Sequence, residues 1–394
     1  MHKRKILEFN PLPEGQSVDL LVIAGEHSGD EHAARVVKRL LSDRPDLKVA
    51  AIGGRHLEEA GAFLVHNPID SAVVGFVEVL KHFNEIKAFF AMAFEWVNAY
   101  RPRAVCFVDY PGFNLRLAKK LFDAGIAHKA GGNVNLLFYI SPQIWAWKSH
   151  RRFAMARHLD ALGVIFPFEI ESYRDTDLPV SFVGHPFVHD DYRLPFVYDP
   201  GAPLLLLPGS RATPIKRIMP AIIETFRRLK AERPGLRATV VYPSEAARVI
   251  LQEMVDQSDC AGDMTFVSNS EPEVRACGVI MSSGTISLVC ALAAIPGILV
   301  YRTNPITYGM AKILVHIRIV GIANILLGEF IHPEFLQGRM HPKRMAAAMS
   351  SQLNDSSTLD RTRALSTKLR SILSESGSAS PESWITAHLE NSPP

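Results

Sequence analysis

The feature that most limits how this chain can fold is a series of short apolar runs, each ending in a turn of small or polar residues. The leucine run at 204–207 is followed by Pro208-Gly-Ser-Arg211, and the apolar run at 20–24 is followed by Gly25-Glu-His-Ser28. Runs of this length, separated by segments long enough for a helix, are typical of buried parallel strands in βα units. The sequence therefore predicts an α/β fold with doubly wound parallel sheets.

The predicted strands form two sets, separated by a segment without an apolar period. We expect the first set near residues 19–24, 49–54, 104–109, 136–142, 162–166 and 180–184, and the second near 203–207, 238–242, 264–267, 279–282 and 298–301. Residues 185–203 are rich in Pro, Asp and Tyr and suit a linker. Because 394 residues are too many for one ordinary core, the pattern predicts two Rossmann-like domains.

The predicted domain boundaries follow from these two sets. We expect an N-terminal extension at 1–17, a first Rossmann-like domain at 18–190, a second at 191–340, and C-terminal helices with a tail at 341–394. The last twenty or so residues include several serines and end in two prolines, which predicts a loose terminus. The two domains are expected to face each other across a cleft at the carboxyl ends of their strands, where a nucleotide and an acceptor can bind.

Composition excludes several classes of protein. Apolar residues at 47% and charged residues at 21% are typical of a globular chain, and a net charge of +3 is too small to favour nucleic acid as a partner. The four cysteines form no CxxC pair, so we expect small buried hydrophobic side chains and no metal site. The basic N-terminus lacks a signal-peptide core, and the apolar segment 278–301 is broken by polar residues and Pro-Gly. We therefore expect a cytoplasmic protein.

Two loops of the second domain are candidates for binding phosphate. After the leucine run, Gly209 allows close backbone approach, Ser210 is expected to cap a helix near Thr213, and Arg211 can bind a diphosphate. Ser283-Gly-Thr285 is expected to open a second helix, whose N–H groups attract anions. The alternatives are a surface turn with a solvated arginine and simple helix capping.

Carboxylates of the first domain are candidates for a general base. Glu26, Asp30 and Asp109 all lie near the carboxyl ends of predicted strands, where a positioned base contributes roughly 10²–10⁴ in rate. The alternative is that they are solvated loop acids. No dinucleotide-binding GxGxxG motif and no Walker loop is present, which disfavours a redox enzyme and a P-loop NTPase.

A long apolar segment of the first domain, 76–97, has apolar residues at roughly helical spacing and includes Phe89 and Phe90. A wide apolar helix face usually covers a sheet. The alternative is a face turned to lipid or to a partner, which the aromatic content and the nearby Lys81, Lys87, Lys148, Arg151 and Arg152 support.

Ten segments, in order along residues 18 to 350, resemble the motifs of lipid A disaccharide synthases. They are AGEHSGD at 24–30, VGFVEVL at 74–80, VDYPGFN at 108–114, YISPQIWAW at 139–147, FPFE at 166–169, FVGHP at 182–186, LPGSR at 207–211, SGT at 283–285, YR at 301–302 and PEFLQ at 333–337. Ten ordered matches are far more specific than any single loop.

The resemblance implies an inverting GT-B glycosyltransferase that uses no metal or other cofactor. It implies transfer of diacylglucosamine from UDP-diacylglucosamine to the 6-hydroxyl of an acylated glucosamine 1-phosphate. It also implies C-terminal helices that cross back to the first domain, a peripheral site on the cytosolic face of the inner membrane, and a possible homodimer. Nothing in it implies a nucleic-acid partner.

The resemblance also implies roles for individual residues. Asp109 matches the family's aspartate and is the first choice for the group that deprotonates or orients the acceptor hydroxyl, with Glu26 as the second choice. Residues implied on the nucleotide-sugar side are Gly209, Ser210, Arg211, Ser283, Gly284, Thr285, Arg302, Asn324 and Gln337. Residues implied on the acceptor and lipid side are Ser28, Asn114, Phe89 and Phe90.

Two departures from the family pattern leave alternatives open. The family usually has Asp where Gly112 stands, and it has a ribose-binding Glu where this chain has Val289. A lost charge-assisted hydrogen bond is worth roughly 1.5–3 kcal/mol, so nucleotide affinity is expected to fall unless another group substitutes. The alternatives are a GT-B relative that acts on another UDP-sugar, as transferase or epimerase, and a catalytically silent lipid-binding paralogue.

Overall fold

The computed structural model describes residues 9–69, 83–303, 319–374 and 379–390. The VGFVEVL motif at 74–80 and Lys81 therefore lie outside the described residues. The same holds for residues 76–82 of the apolar segment 76–97. The chain divides into two compact units. The first comprises residues up to Pro186 together with the C-terminal segment after residue 374, and the second comprises Phe187–Ser374.

The first unit is built on a parallel sheet of seven strands. Its strands lie in the order β3-β2-β1-β4-β5-β6-β7, and every pair is parallel. The strands are β1 Leu20–Ala24, β2 Val49–Ile52, β3 Phe63–His66, β4 Ala104–Val108, β5 Asn135–Tyr139, β6 Ala161–Val164 and β7 Val180–Phe182. The helices are α1 His27–Asp43, α2 Arg55–Glu59, α3 Phe83–Tyr100, α4 Pro111–Asp123 and α5 Arg151–His158.

Helices cover both faces of this sheet, because side chains alternate along each strand. Leu21 and Ile23 of β1 point into a core with α3, α4 and α5, while Leu20 and Val22 point into a core with α1. The expectation that the apolar helix covers a sheet is confirmed for its described part, since Val97 of α3 is fully buried in the first of these cores. The unit is doubly wound, as predicted.

The second unit repeats this plan with a six-stranded parallel sheet of order β11-β10-β9-β13-β14-β15 and a two-stranded ribbon, β8–β12. The strands are β8 Phe196–Tyr198, β9 Leu204–Leu207, β10 Ala238–Tyr242, β11 Met264–Ser268, β12 Val274–Ala276, β13 Gly278–Ser282, β14 Gly297–Tyr301 and β15 Glu334–Leu336. The helices are α6 Ala212–Glu232, α7 Glu245–Asp256, α8 Thr285–Leu292, α9 Ile322–Leu327, α10 Pro342–Asn354 and α11 Ser356–Ser374.

The C-terminal helix, α12 Pro381–Glu390, packs on the first unit. Trp384 is 3% exposed, and its ring lies where a Cβ at Gly163 of β6 would come within 3.3 Å. The side chain of Glu382 forms a salt bridge with Arg39 of α1. The predicted return of the C-terminal helices to the first domain is confirmed for this helix. The expectation of a loose terminus is wrong for Pro381–Glu390, because a buried tryptophan anchors it.

Other expectations differ from the structure in detail. Residues 185–203 are not a bare linker, since β8 lies within them and pairs in parallel with β12. Strands β3, β8, β12 and β15 were not predicted, and all four have only three or four residues. All four cysteines are free and buried, as expected. In the part of the chain that the structure describes, no helix is long and apolar enough to cross a membrane.

Each sheet has one position where the direction of winding reverses, and ligands of α/β proteins bind at such positions. In the first unit the reversal lies between β1 and β4, and in the second it lies between β9 and β13. We call the carboxyl ends of these two strand pairs the first and the second switch point.

Candidate functional site

The first switch point carries the two predicted acidic residues. Strands β1 and β4 pair in register, with Ala24 opposite Val108, so Gly25-Glu26 and Asp109 follow neighbouring strand ends. Glu26 is the exposed N-cap residue of α1, and its side chain makes no capping hydrogen bond. Asp109 is only half-exposed. The structure thus brings the first and second choices for the base together.

The turn that holds Asp109 has an unusual backbone. Asp109 and Tyr110 have φ angles of 45° and 47°, in the left-handed region that non-glycine residues rarely adopt. Such a residue costs on the order of 1–3 kcal/mol and persists only where its surroundings hold it. The Asp109 N–H donates to the carbonyl of Tyr139 at 3.0 Å, and the Asn114 side chain donates to the Asp109 carbonyl at 2.7 Å. The turn is fixed before any substrate binds.

Gly25 and Tyr110 complete this turn; the sequence indicates a turn at Gly25 but gives no role to Tyr110. A Cβ at Gly25 would lie 2.4 Å from a ring carbon of Tyr110, so any side chain there would displace the ring. The Tyr110 ring also stacks on Phe113, with centroids 6.0 Å apart. Gly25, the first glycine of the AGEHSGD motif, is the one sequence feature that could have indicated this contact. The left-handed conformation of Tyr110 cannot be recognised from the sequence.

The surroundings of Asp109 shift its protonation equilibrium. Burial, and then the negative charge of Glu26, raise the pKa of Asp109 to about 6, against a smaller opposite effect of the Tyr110 N–H. A base works best when its pKa lies near the working pH. Asp109 is therefore ionised at neutral pH yet remains basic enough to accept a proton.

The residues implied on the acceptor side have different surroundings. Ser28 is exposed in the first turn of α1, at the first switch point. Asn114 is fully buried, and its amide donates to the carbonyls of Val108 and Asp109. It therefore supports the turn that carries Asp109, and its buried Oδ1 has no hydrogen-bond partner within the described chain.

Phe89 and Phe90 lie on α3, where they are half-buried and not turned to solvent. Their rings lie 5.0 and 5.6 Å from the ring of Phe113, which follows the Asp109 turn. They belong to the margin of the core on this face of the sheet. Both side chains therefore pack beside Phe113, behind the Asp109 turn, and their implied role on the lipid side stays a prediction.

The second switch point carries the predicted phosphate loops. Strands β9 and β13 pair with Leu207 opposite Met281, so the loops that follow them are neighbours. A Cβ at Gly209 would lie 3.1 Å from Oγ of Ser282, and Gly209 has a φ of 107°. Glycine is thus required both by the backbone and by the closeness of the second loop.

Arg211 and Ser210 lie at the start of α6. The N-cap of this 21-residue helix is Arg211, and no side chain caps it, so the prediction that Ser210 is the cap is wrong. Ser210 and Arg211 are both exposed, and the Arg211 guanidinium pairs with no carboxylate among the described residues. The first N–H groups of a helix lack partners within it, so this end of α6 offers donors together with a positive charge.

The loop 283–285 forms the start of the neighbouring helix. Gly284, with a φ of 142°, is the N-cap of α8, and Thr285 is its first residue. Gly284 and Thr285 are exposed, while Ser283 is half-buried and its Oγ donates to the carbonyl of Val320 at 3.5 Å. Two helix N-termini and one arginine therefore meet at the second switch point, which suits a diphosphate.

The remaining predicted nucleotide-side residues are distributed along the same sheet. Strands β14 and β15 pair with Tyr301 opposite Leu336, so Arg302 and Gln337 follow neighbouring strand ends. With its amide oriented by hydrogen-bond geometry, Gln337 exchanges two hydrogen bonds with the backbone of Thr303, at 3.0 and 3.2 Å. Gln337 therefore ties down the segment that carries Arg302.

Asn324 has no free donor for a ligand. It is 1% exposed, and its amide nitrogen donates to the carbonyl of His332 and to Glu334, both at 2.8 Å. Its oxygen accepts from the N–H groups of Ile331 and His332. Glu334, which the sequence reasoning did not single out, also accepts from the N–H groups that precede α9. Asn324 and Glu334 together fix this loop.

The two departures from the family pattern have clear surroundings. Gly112 is exposed in the first turn of α4, and a Cβ there would meet nothing within 4 Å. Val289 is 3% exposed on α8 and offers no hydrogen bond to a ribose. Among the described residues no group of three His, Cys, Asp or Glu side chains is placed to hold a metal ion.

The chain resembles known sequences over most of its length. A family model described as lipid-A-disaccharide synthetase matches residues 20–387. The lipid-A-disaccharide synthase of Geobacter metallireducens is 34% identical over 370 aligned residues, which cover 91% of this chain and 94% of that protein.

Solved structures of low sequence identity share the fold. A putative UDP-N-acetylglucosamine 2-epimerase from Listeria monocytogenes superposes with a TM-score of 0.59 at 12% identity, covering 88% of this chain and 90% of that one. A calicheamicin glycosyltransferase gives a TM-score of 0.53 at 13% identity, covering 96% and 100%. At this level of identity the likeness shows the fold, which is of the GT-B type with two Rossmann-like units.

Proposed function

Because the chain belongs to the lipid-A-disaccharide synthetase family and is a hexosyltransferase, we propose that it transfers 2,3-diacylglucosamine from UDP to the 6-hydroxyl of 2,3-diacylglucosamine 1-phosphate. The bond between the anomeric carbon and the UDP oxygen breaks, and a bond from O6 of the acceptor forms on the opposite face. The products are a β-1,6-linked disaccharide 1-phosphate and UDP.

The observation that supports this reaction best is the opposite chemistry of the two switch points. The first presents Asp109, whose pKa is raised to about 6, and the second presents Arg211 beside the N-termini of α6 and α8. A displacement on a UDP-sugar needs a group that takes the acceptor proton and donors that neutralise the charge appearing on the departing diphosphate.

In the proposed mechanism Asp109 takes the proton of the 6-hydroxyl as O6 attacks. The hydrogen bonds from its own N–H and from Asn114 hold the turn, so little reorganisation is needed when the substrate arrives. Burial, and to a smaller extent the negative charge of Glu26, keep the pKa of Asp109 raised. Arg211, with the first N–H groups of α6 and α8, binds the diphosphate without a metal ion or other cofactor.

We also propose that the protein works as a peripheral protein on the cytosolic face of a membrane that supplies its acylated substrates. The exposed apolar side chains that support contact with lipid are Trp147 and Phe153, which are 59% and 53% exposed. Lys148 lies 4.1 Å from the ring of Trp147, and Arg152 lies 4.3 Å from the ring of Phe153. Aromatic rings flanked by cations are typical of segments that bind an anionic interface.

The test is an assay with UDP-diacylglucosamine and diacylglucosamine 1-phosphate in mixed micelles. Mass spectrometry follows the disaccharide, a coupled assay follows UDP, and the anomeric coupling constant reports the stereochemistry. We expect disaccharide and UDP in equal amounts, a β-linkage, and no loss of rate with a metal chelator. A chain that makes no disaccharide from these substrates, or an α-linked product, contradicts the proposal.

A second candidate function is a GT-B enzyme that acts on another UDP-sugar, as transferase or epimerase. Its support is that the chain departs from the family pattern at two positions, Gly112 and Val289. The same assay separates the two, since UDP release without disaccharide, or epimerisation of the donor sugar, favours the alternative.

A further inference from the structure

A groove of about 250 Å³ lies between α4 and α5 of the first unit. Its lining runs along α4 from Pro111 to Lys119, and along α5 from Arg151 to His158 with the following Leu159. Its deepest side chains are apolar, since Ala118, Met155 and Leu159 are all 1% exposed or less. An apolar floor of this kind accepts a hydrocarbon chain or the face of a sugar ring.

The rim of this groove is positively charged. Arg116, Lys119 and Arg151 line it, and no Asp or Glu is among its lining residues. Arg116 is exposed and pairs with no carboxylate of the described chain, while Arg151 lies over the ring of Trp147 at 5.8 Å.

Lys119 contacts Asp123 at 2.5 Å, but that pair is about half-exposed and therefore weak. The charge of Lys119 also contributes to the lowered pKa of His158, after the larger effect of burial. The side chains that line the groove thus carry positive charge at Arg116, Lys119 and Arg151.

One end of the groove lies next to the turn that carries the proposed base, Asp109. Pro111 and Gly112 line it and follow the Asp109-Tyr110 turn directly in sequence. Gly112 places no carboxylate and no side chain at this entrance. Arg116 lies about one helical turn, or ~5.4 Å, beyond Gly112 along α4. A ligand whose phosphate lies between Arg116 and Arg151 therefore occupies a groove whose lining includes the two residues that follow the Asp109-Tyr110 turn.

We propose that this groove binds the phosphate monoester of the acylated acceptor, with Arg116, Lys119 and Arg151 as the binding side chains. The inference rests on the proposed function and adds to it the site that selects a phosphorylated acceptor. Guanidinium groups bind phosphate oxygens in a bidentate manner, and the apolar floor contacts the uncharged part of the same molecule. These residues determine specificity and take no part in the chemical step.

The experiment compares the full-length protein with its Arg116→Gln/Arg151→Gln variant on two acceptors, diacylglucosamine with and without the 1-phosphate. For the phosphorylated acceptor we expect KM to rise at least about tenfold, with kcat and the KM of the donor unchanged. For the acceptor without phosphate the variant and the wild type should have equal, high KM values. The proposal is overturned if KM rises by the same factor for both acceptors, or if it rises for neither.

Two single substitutions serve as matched controls on the same helices. Lys120→Gln removes a cation of α4 that lies over the ring of Phe94, and Arg157→Gln removes a cation of α5 that lies over Phe122. Neither lines the groove. Both control variants should keep the wild-type preference for the phosphorylated acceptor. If either control loses that preference, the preference depends on the overall positive charge and not on the groove, and the proposal is wrong.

Equilibrium binding separates this inference from the proposed reaction. Phosphorylated acceptor in micelles should bind wild type more tightly than the double variant even if no transfer occurs, and equal binding overturns the groove assignment. Vesicles of phosphatidylcholine with and without phosphatidylglycerol test the other source of phosphate. If the double variant loses only vesicle binding and keeps its acceptor KM, the groove binds a bilayer headgroup and the acceptor assignment is wrong.

Discussion

The two switch points occupy equivalent places in two similar sheets, yet they are built in opposite ways. At the first, two non-glycine residues, Asp109 and Tyr110, adopt left-handed φ angles and are held by packing and hydrogen bonds. At the second, the left-handed positions are Gly209 and Gly284, and Arg211 is exposed.

The difference follows from what each site is proposed to do. A general base needs a fixed position and a partly buried carboxyl, since burial is the main cause of the raised pKa of Asp109. An anion site needs donors and positive charge, and glycine lets the backbone approach the ligand. The first switch point is therefore expected to be sensitive to shape, and the second to charge.

The largest effect is expected for Asp109→Asn. Asparagine tolerates the left-handed conformation and keeps the shape of the side chain, but it cannot accept the proton. We expect kcat to fall by roughly 10²–10⁴ while UDP affinity stays within about twofold of wild type. Steady-state kinetics and calorimetric titration with UDP measure the two quantities, and a variant that keeps its kcat excludes Asp109 as the base.

The pH dependence of the free energy of unfolding of the same variant tests whether it is folded and whether Asp109 is buried. Because the pKa of Asp109 is raised from 3.8 to about 6 in the folded protein, its ionisation opposes folding, and wild type loses stability as the pH rises through this window. Asp109→Asn should therefore resist urea better than wild type at pH 8, and the advantage should vanish near pH 4. An advantage that grows toward low pH contradicts the burial of this carboxyl.

The next largest effect is expected at the second switch point. Arg211→Gln removes the charge at the N-terminus of α6, and we expect UDP affinity to fall about ten- to a hundredfold. Lys216→Gln is the matched control, because it removes a charge from an exposed position of the same helix. Titration with UDP at two salt concentrations is the measurement, and equal losses in both variants contradict a specific role for Arg211.

Gly25→Ala tests the tight packing at the first switch point. The new Cβ would lie 2.4 Å from the Tyr110 ring, so we expect the free energy of unfolding to fall by about 1–3 kcal/mol. Gly112→Ala is the matched control on the same edge, since its Cβ would meet nothing within 4 Å, and its stability should be unchanged or slightly higher. Urea denaturation of both variants measures this, and equal stability of the two contradicts the contact.

The smallest effect is expected for Glu26→Gln. Removing the negative charge lowers the pKa of Asp109, so the acidic limb of the kcat profile should move to lower pH with little change in kcat at pH 8. A pH–rate profile from pH 5 to 9 is the measurement. If instead kcat falls by roughly 10² in Glu26→Gln and does not fall in Asp109→Asn, Glu26 is the base and Asp109 is not.

Sequence patterns predict the long buried strands well and miss four strands of three or four residues, β3, β8, β12 and β15. The leucine run of β9 and the apolar run of β10 end within a residue of their predicted limits, because every residue is apolar or nearly so. Strands β3 and β15 lie at sheet edges, have only four and three residues and are largely half-buried, so each gives an apolar run of no more than a few residues. Edge strands of this kind are fixed by their neighbours and not by their own composition.

The candidate site likewise has features that the sequence predicts and features that it does not. The motifs place Asp109 and Arg211 at strand ends, but they say nothing of which backbone conformation or neighbour each meets. The pairing of Tyr110 with Gly25 joins residues that are far apart in sequence, and the full hydrogen bonding of Asn324 depends on Glu334 and His332 in a later loop. Such roles depend on contacts between distant segments, which no local pattern encodes.

The place of α12 has a consequence for how the protein is made. Strand β6 packs against Trp384, and α1 against Glu382, although 343 residues separate Arg39 from its partner. Domains generally fold as the chain leaves the ribosome, starting from the N-terminus. Here the core of the first unit includes Trp384, Ile385 and Leu389, so this unit can complete its core only after residues 187–374, which form the second unit, have been synthesised.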